Sequence, residues 1–245
     1  MFRHKGKTRT FKHNMRLASM LSFVAGNVNI IGLLSVSTLT TNVTGHFAFF
    51  AEQTLQKNYG TAAIFLFYIV FFLLGAFFCG FVTQAMNRIR PSVDHTVSML
   101  VEITLLLFLG FLGDTYLEEG LPKQYLAFLM LFSMGLQNAL VTTVSQSVVR
   151  TTHLTGLFTD MGIELSQLFF FRRHDDRKKL GRSIKLRIAI IFFFFLGSTL
   201  GGFMYQLLIM KTTLIASAVL ILALLYDNLL FRIYLFKRKI RQHVK

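Results

Sequence analysis

Two threonine-rich segments carry most of the side chains in this sequence that could bind a polar solute. Residues 40–45 read TTNVTG and residues 151–156 read TTHLTG, with the threonines and the glycine in the same places. Threonine is a competent helix N-cap, and glycine allows the chain to turn tightly. A short helix that begins near Thr44 or Thr155 would present free N–H groups and partial positive charge, which suit an anionic group. The candidate solute-binding residues are Asn29, Thr41, Asn42, Thr44, Gly45, His46, Asn138, Thr152, His153, Thr155 and Gly156.

Two carboxylates follow the second segment. Asp160 and Glu164 are four residues apart, so they share one face of a helix. Two acidic groups so close resist ionising together, which suits ion coupling, either to a proton or to a cation. The alternative is that both lie at the membrane interface and pair with Arg150 or Arg172.

The other reactive side chains form no recognisable catalytic set. The sequence has no zinc-ligand spacing, nucleophile elbow, phosphate-binding loop or dinucleotide fingerprint. Glu102 and Asp227 are acidic residues in otherwise apolar segments, and a structural role is expected for both. We therefore expect no catalytic residue, no metal site and no cofactor, and a protein that is not an enzyme.

The composition shows which elements must position these residues. Hydrophobic residues make up 53% of the 245-residue chain and charged residues only 15%, where a soluble domain has about 25% charged residues. Six apolar segments approach the length that crosses a bilayer, which excludes a soluble enzyme and predicts an all-α transmembrane fold. The predicted spans cover residues 17–38, 61–86, 97–112, 125–148, 188–210 and 212–231.

The basic residues predict how these spans are oriented. Of the 26 lysines and arginines, all but Lys57, Lys123 and Lys211 fall in segments that the positive-inside rule assigns to one side of the membrane. The tails 1–16 and 232–245 and the basic loop 172–187 would face the cytoplasm, and the connection 118–124 would face outward. We expect a multi-pass protein of a bacterial inner membrane with both termini cytoplasmic. The net charge of +15 then reports orientation and no nucleic-acid binding.

The threonine-rich segments belong to a longer internal repeat. Residues 17–117 and 125–231 would each supply three spans, and because three is odd, the second copy must be inverted in the membrane. Inverted repeats of this kind are common in secondary transporters. In each copy we expect a broken helix or a re-entrant segment at T-T-x-x-T-G, so that two short helices frame one site near the midplane. Matched residues outside the two segments are Gly26 and Asn29 with Gly135 and Asn138, and Gly75 with Gly197.

At these residues the chain resembles a bacterial family of small membrane proteins, the YoaK-like family. The resemblance covers residues 20–231 and depends on GNVN at 26–29, TG at 44–45, MGLQNA at 134–139 and RTTHLTG at 150–156. The family pattern tends to have Asp in place of Asn29 and Asn in place of His46, so the ion dependence of this protein would differ if that Asp is a coupling group. The family is a domain of unknown function, and the resemblance therefore implies an architecture without a substrate.

The leading functional hypothesis is a secondary transporter-like carrier of a small solute, with its site between the two helix breaks near the midplane. The alternative is a non-transporting scaffold or assembly factor that acts through the basic loop 172–187. A membrane-embedded enzyme is a third reading that no motif favours. Membrane lipid is the expected partner throughout, and a homodimer is one way to enclose a pathway with so few spans.

Overall fold

Long helices account for nearly all of the chain that the structure describes. The structure is a computed structural model and describes residues 10–89, 94–170 and 174–243. Within those ranges the chain forms no β-strand, so the predicted all-α fold is confirmed there. The helices are α1 (Phe11–Val36), α2 (Val43–Leu55), α3 (Tyr59–Ile89), α4 (Asp94–Glu118), α5 (Gln124–Ser145), α6 (Leu154–Phe170), α7 (His174–Leu208) and α8 (Thr213–His243), with a 3-10 turn at Ile209–Thr212.

Five helical stretches are long and apolar enough to cross a membrane. Four of them lie on α1, α3, α4 and α5, and the fifth runs over Asp176–Leu229, which takes in most of α7 and the apolar part of α8. A helix is stable in lipid because it satisfies its own backbone hydrogen bonds. The chain is therefore an integral membrane protein, as its composition predicts.

Helix α1 packs along α7 through a close glycine contact. A β-carbon at Gly26 would overlap the carbonyl oxygen of Phe194, and a β-carbon at Gly197 would overlap that of Phe23. At the same place, the Ser198 hydroxyl donates to the carbonyl oxygen of Gly26 at 3.1 Å. Small residues let two helix backbones approach closely, which is how helices associate in lipid.

Helix α3 packs along α5 in the same manner. A β-carbon at Gly75 would overlap the carbonyl oxygen of Phe132, and one at Gly135 would overlap that of Phe72. In both helix pairs, each glycine faces the carbonyl three residues before the opposite glycine. The sequence match of these four glycines therefore corresponds to a match in packing.

The 3-10 turn separates α7 from α8 and is held against α4. Ile209 adopts a left-handed conformation (φ +47°), and the Asp114 carboxylate accepts a hydrogen bond from the amide of Met210 at 2.8 Å. One turn further on, the Thr213 hydroxyl donates to the carbonyl oxygen of Leu106 at 3.0 Å. These bonds fix the start of α8 beside the second half of α4.

Several helices extend beyond the predicted spans. Helix α7 begins at His174, so the connection predicted as a basic loop over 172–187 is helical from that residue onward, and α8 continues through the predicted tail to His243. Lysine, arginine and leucine are good helix formers, and charge alone does not end a helix. Other parts of the predicted basic segments, including Pro91 and Arg172, lie outside the described residues.

Candidate functional site

Both threonine-rich segments follow a helix that ends in the same way. After α1 and α5, Ser37 and Gln146 each adopt a left-handed conformation with φ +53°. The next amide, of Thr38 at 3.0 Å or of Ser147 at 2.8 Å, then donates to a carbonyl oxygen near the end of the helix. Residues other than glycine rarely adopt this conformation, so both helices end at a defined stop.

The predicted breaks lie at the ends of complete helices. Helix α1 has 26 residues and α5 has 22, which at about 1.5 Å per residue gives lengths of about 39 and 33 Å. Each is long enough to cross the hydrocarbon core before its threonine-rich segment begins. The expected unwinding of the first span of each half near the midplane is therefore replaced by a turn at its end.

The first segment is tied back to α1. The amide and the hydroxyl of Thr41 both donate to Oδ1 of Asn29, at 3.1 and 3.0 Å. The side chain of Asn42 accepts from the amide of Gly45 at 3.1 Å and is the N-cap of α2. Asparagine therefore caps this helix, where Thr44 was expected to do so, because its side-chain oxygen reaches an amide of the first turn. The Thr44 side chain is exposed.

The second segment repeats part of this arrangement. The Thr152 hydroxyl donates to Oδ1 of Asn138 at 3.0 Å, as the threonine of the first segment does to its asparagine. The imidazole of His153 lies against Gly156, in the place that the capping asparagine takes at the first segment. Helix α6 begins one residue before the predicted position, and Thr155 is exposed on its first turn. Two of the predicted binding residues in each half thus hold the segment in place.

The first threonine of each segment has a buried hydroxyl. Thr40 and Thr151 are fully buried, and neither hydroxyl has a hydrogen-bond partner among the described residues. A buried polar group normally has a partner, so two unpartnered hydroxyls at matched positions require an explanation. Sequence reasoning passed over both, although their place in the repeated motif was a signal that could have identified them.

Unpartnered amides also lie in the interior, one on α1 and one on α5. Asn27 is fully buried, and neither atom of its amide has a partner in the described part of the chain. Gln137 donates from Nε2 to the carbonyl oxygen of Leu21 at 3.0 Å, while its Oε1 has no partner there. Both residues lie inside the sequence strings that mark the repeat, and neither was among the predicted site residues.

The His46 side chain packs α2 against neighbouring residues. Its Nε2 lies 2.9 Å from the carbonyl oxygen of Leu39, and its ring contacts Tyr68 and Phe65. Burial lowers the pKa of the imidazole, so the neutral ring donates from Nε2 to that carbonyl. The residue predicted as a binding group therefore has a packing role in this conformation.

A polar cavity opens at the second segment. It has a volume of about 400 Å³. A neighbouring cavity of about 280 Å³ shares part of its wall and extends to the first turn of α1. Three of the predicted residues, His153, Gly156 and Asp160, thus line one space together with Arg150 and Arg187.

The two predicted ion-coupling carboxylates share a counter-ion. Arg187 donates to Asp160 at 2.8 Å and to both oxygens of Glu164 at 2.9 and 3.0 Å. The Ser183 hydroxyl adds a hydrogen bond to Glu164 at 2.6 Å. The arginine that pairs with them is therefore on α7. The sequence predicted Arg150 or Arg172 as the partner, and of these two only Arg150 is described by the structure. Arg150 is not the arginine that pairs with the two carboxylates. Their role in ion coupling stays a prediction, now for two carboxylates that share one positive charge.

A comparison with protein families decides the membership of the chain. Residues 17–226 match the family described as Protein of unknown function (DUF1275). The chain belongs to this family. It is similar to the UPF0700 transmembrane protein YoaK of Bacillus subtilis (strain 168), with 26% identity over 184 residues, 74% of this chain and 80% of the relative. No solved structure matches. The resemblance to the YoaK-like family is thereby confirmed.

The chemistry of this DUF1275 chain is that of hydrogen-bonding groups and ion pairs. Among the described residues, no group of three His, Cys, Asp or Glu side chains could hold a metal ion. The expected absence of a catalytic residue, a metal and a cofactor stays a prediction. What the described groups can do is bind a polar solute, exchange protons and hold helix ends together.

Proposed function

We propose that this DUF1275 protein is a secondary transporter-like carrier of a small solute in a bacterial inner membrane. The observation that supports this function most is that each half packs its first long helix against the other half. The first long helix of each half, α1 or α5, packs on the second long helix of the other half, α7 or α3. Two copies of one unit related by a two-fold axis pack in this way, and inverted copies of this kind are the common plan of secondary transporters.

The inverted repeat requires six crossings, and the last stretch supports two of them. Asp176–Leu229 has 54 residues, which as one straight helix would be about 81 Å long, against about 30 Å of hydrocarbon. The turn at Ile209–Thr212, held by Asp114, divides it into two lengths that each suit one crossing. Three crossings per half then make the second half inverted, with both termini on the basic, cytoplasmic side.

The solute path that we propose runs between the two threonine-rich segments, along α1 and α5. Thr40 and Thr151 would mark its ends, and Asn27 and Gln137 would mark its middle, near the membrane midplane. Their buried, unpartnered polar atoms support this path, because a bound solute would supply the missing hydrogen bonds. The cavity at the second segment supports a conformation that is open towards the cytoplasm.

The carrier function can be tested without knowing the solute. Purified protein in proteoliposomes would be offered radiolabelled amino acids, sugars, organic acids and alkali cations, each alone. We expect saturable uptake of at least one of them, lowered in the Thr151→Val and His153→Ala variants. Uptake that is unchanged in Thr40→Val, Thr151→Val and His153→Ala would remove the proposed site, and no uptake of any compound would argue against a carrier.

A second candidate function is a non-transporting scaffold or assembly factor. The beginning of α7 exposes five basic side chains that could dock an acidic partner or anionic lipid. This function predicts that reversing their charge abolishes capture of a partner and leaves solute uptake unchanged. The exposed basic residues are Arg177, Lys178, Lys179, Arg182 and Lys185.

A further inference from the structure

Helix α4 carries one carboxyl group, that of Glu102, in the interior of the protein. Glu102 is fully buried, and neither of its carboxyl oxygens has a hydrogen-bond partner among the described residues. An acidic side chain inside a membrane protein is rare, and it usually marks an ion or proton pathway. A leucine at this position would pack at far lower cost, so packing alone does not account for the glutamate.

Three polar side chains lie close together at the contact of α3 and α4, with Cys79 between the other two and Glu102 nearby. The thiol of Cys79 lies against the hydroxyls of Ser98 and Thr83 and within electrostatic range of Glu102. Cys79 and Thr83 are four positions apart on α3, and Ser98 and Glu102 are four positions apart on α4. Each pair therefore lies on the one face of its helix that is turned to the other helix. All four side chains are buried, and they form a small polar cluster in an apolar interior.

The elements that pack against α4 carry other titratable groups. On α3 these are Tyr59, Tyr68 and Arg88, and on α8 they run from Tyr226 through the basic residues that follow it. Helix α5 carries only Tyr125, at its outer end, and the 3-10 turn carries Lys211. On α8, Asp227 is 14 residues beyond Thr213, which places it roughly 15 Å further along the membrane axis than Glu102 at about 1.5 Å per residue. On α4 itself, His95 is buried two turns before Glu102. Cys79 on α3 lies within electrostatic range of the Glu102 carboxyl.

We propose that Glu102, with Ser98, Thr83 and Cys79, forms a buried proton-binding site. In the packed conformation the carboxyl group keeps its proton, because an unpaired charge in an apolar interior is strongly disfavoured. When the helices separate and water enters, the O–H bond of the carboxyl breaks and its proton passes to a water molecule. The carboxylate then accepts hydrogen bonds from the entering water and from the Ser98 hydroxyl, which lies one turn away on the same helix. That this proton drives solute movement rests on the proposed carrier function, whereas proton binding itself does not.

Infrared spectroscopy of the purified protein in nanodiscs tests the protonation state directly. At neutral pH exposed carboxyls are ionised, so the stretching band of a protonated carboxyl reports a buried one. Asp227 is a second buried carboxyl, so the measured quantity is the difference between two spectra. We expect the wild-type spectrum minus that of Glu102→Gln to show the band, and the wild-type spectrum minus that of Glu118→Gln, which removes an exposed carboxyl, to lack it. Absence of the band from the first difference spectrum, with a folded Glu102→Gln protein, would overturn the proposal.

The chain supplies its own reporter of water access, since Cys79 is its single cysteine and is buried beside the site. Alkylation of Cys79 by a small membrane-permeable maleimide would be followed from acid to alkaline pH. We expect the wild-type rate to rise more steeply with pH than that of Glu102→Gln, with Glu102→Asp close to the wild type. Identical pH profiles in the wild type and in Glu102→Gln would contradict a releasable proton.

The two proposals fail in different ways. A protein that shows the carboxyl band and the steep alkylation profile but takes up no solute would keep the proton site and lose the carrier function. If the wild type and Glu102→Gln take up a solute at the same rate and the carboxyl band is absent, the carrier function would stand and the proton site would be lost. Equal melting temperatures and elution volumes of the variants establish that each compared protein is folded.

Discussion

Gly26 and Gly197 face each other across the contact of α1 and α7, and neither could carry a β-carbon without overlapping the backbone of the opposite helix. The same relationship joins Gly75 and Gly135 at the contact of α3 and α5. The same close contact of glycines therefore occurs twice, each time between a helix of the first half and a helix of the second half. Four glycines thus bring the helix backbones of the two halves into close contact.

Alanine at these glycines is expected to loosen the contact between the halves. Gly26→Ala and Gly135→Ala should each lower the free energy of unfolding by about 1–3 kcal/mol, the usual cost of overpacking. Gly80→Ala is the matched control, because a β-carbon there has no atom within 4 Å. Melting temperatures in detergent, read by size-exclusion chromatography of a fluorescent fusion, measure the effect. A loss with Gly80→Ala as large as with the other two would refute the packing argument.

The bond between Asn29 and Thr41 should tolerate an acidic replacement. The Oδ1 atom of Asn29 accepts from both the amide and the hydroxyl of Thr41. Asn29→Asp keeps an acceptor in place and should preserve stability, whereas Asn29→Leu should lose about 1–2 kcal/mol, because two donors lose their partner. Hydrogen exchange at the Thr41 amide is the direct measure. Equal exchange in both variants would mean that this bond does not hold the first segment.

The ion pairs of Arg187 should be unequal in strength. Glu164 is 15% exposed and Asp160 is 53% exposed, and an exposed pair contributes about 0–1 kcal/mol at most. We therefore expect Glu164→Gln to destabilise the protein clearly more than Asp160→Asn does. Arg187→Lys should be less stable than the wild type, since lysine cannot donate to two carboxylates in the fork geometry of arginine. Melting temperatures at low and high salt provide the comparison, and a larger effect of Asp160→Asn would contradict it.

The sequence predicts helices and repeats better than it predicts polar partners. Apolar runs give the long helices, because helix formation in lipid depends on local composition, and the T-T-x-x-T-G motif gives the start of α2 and α6 within one residue. The pairing of Arg187 with Glu164 joins residues 23 positions apart on two helices. No local pattern encodes that distance, so Arg150 and Arg172 were the partners considered.

Burial is the other property that the sequence left open. Glu102 and Asp160 are both acidic residues beside apolar ones, yet Glu102 is fully buried and Asp160 is half exposed. The difference arises because α4 is enclosed by α3, α5 and α8, whereas α6 packs chiefly on α7. Which helix face is enclosed depends on how the two halves meet, and that is a property of the whole fold.

The central claim is that the two halves have opposite orientations in the membrane, and single cysteines at the two threonine-rich segments test it most directly. Asn42→Cys and His153→Cys would be made in a Cys79→Ala background, since both side chains are exposed and Cys79 is the only native cysteine. Intact cells would be treated with a membrane-impermeant maleimide. The account predicts that position 42 is labelled in intact cells and that position 153 is labelled only after the membrane is permeabilised. Labelling of both positions from the same side would contradict it.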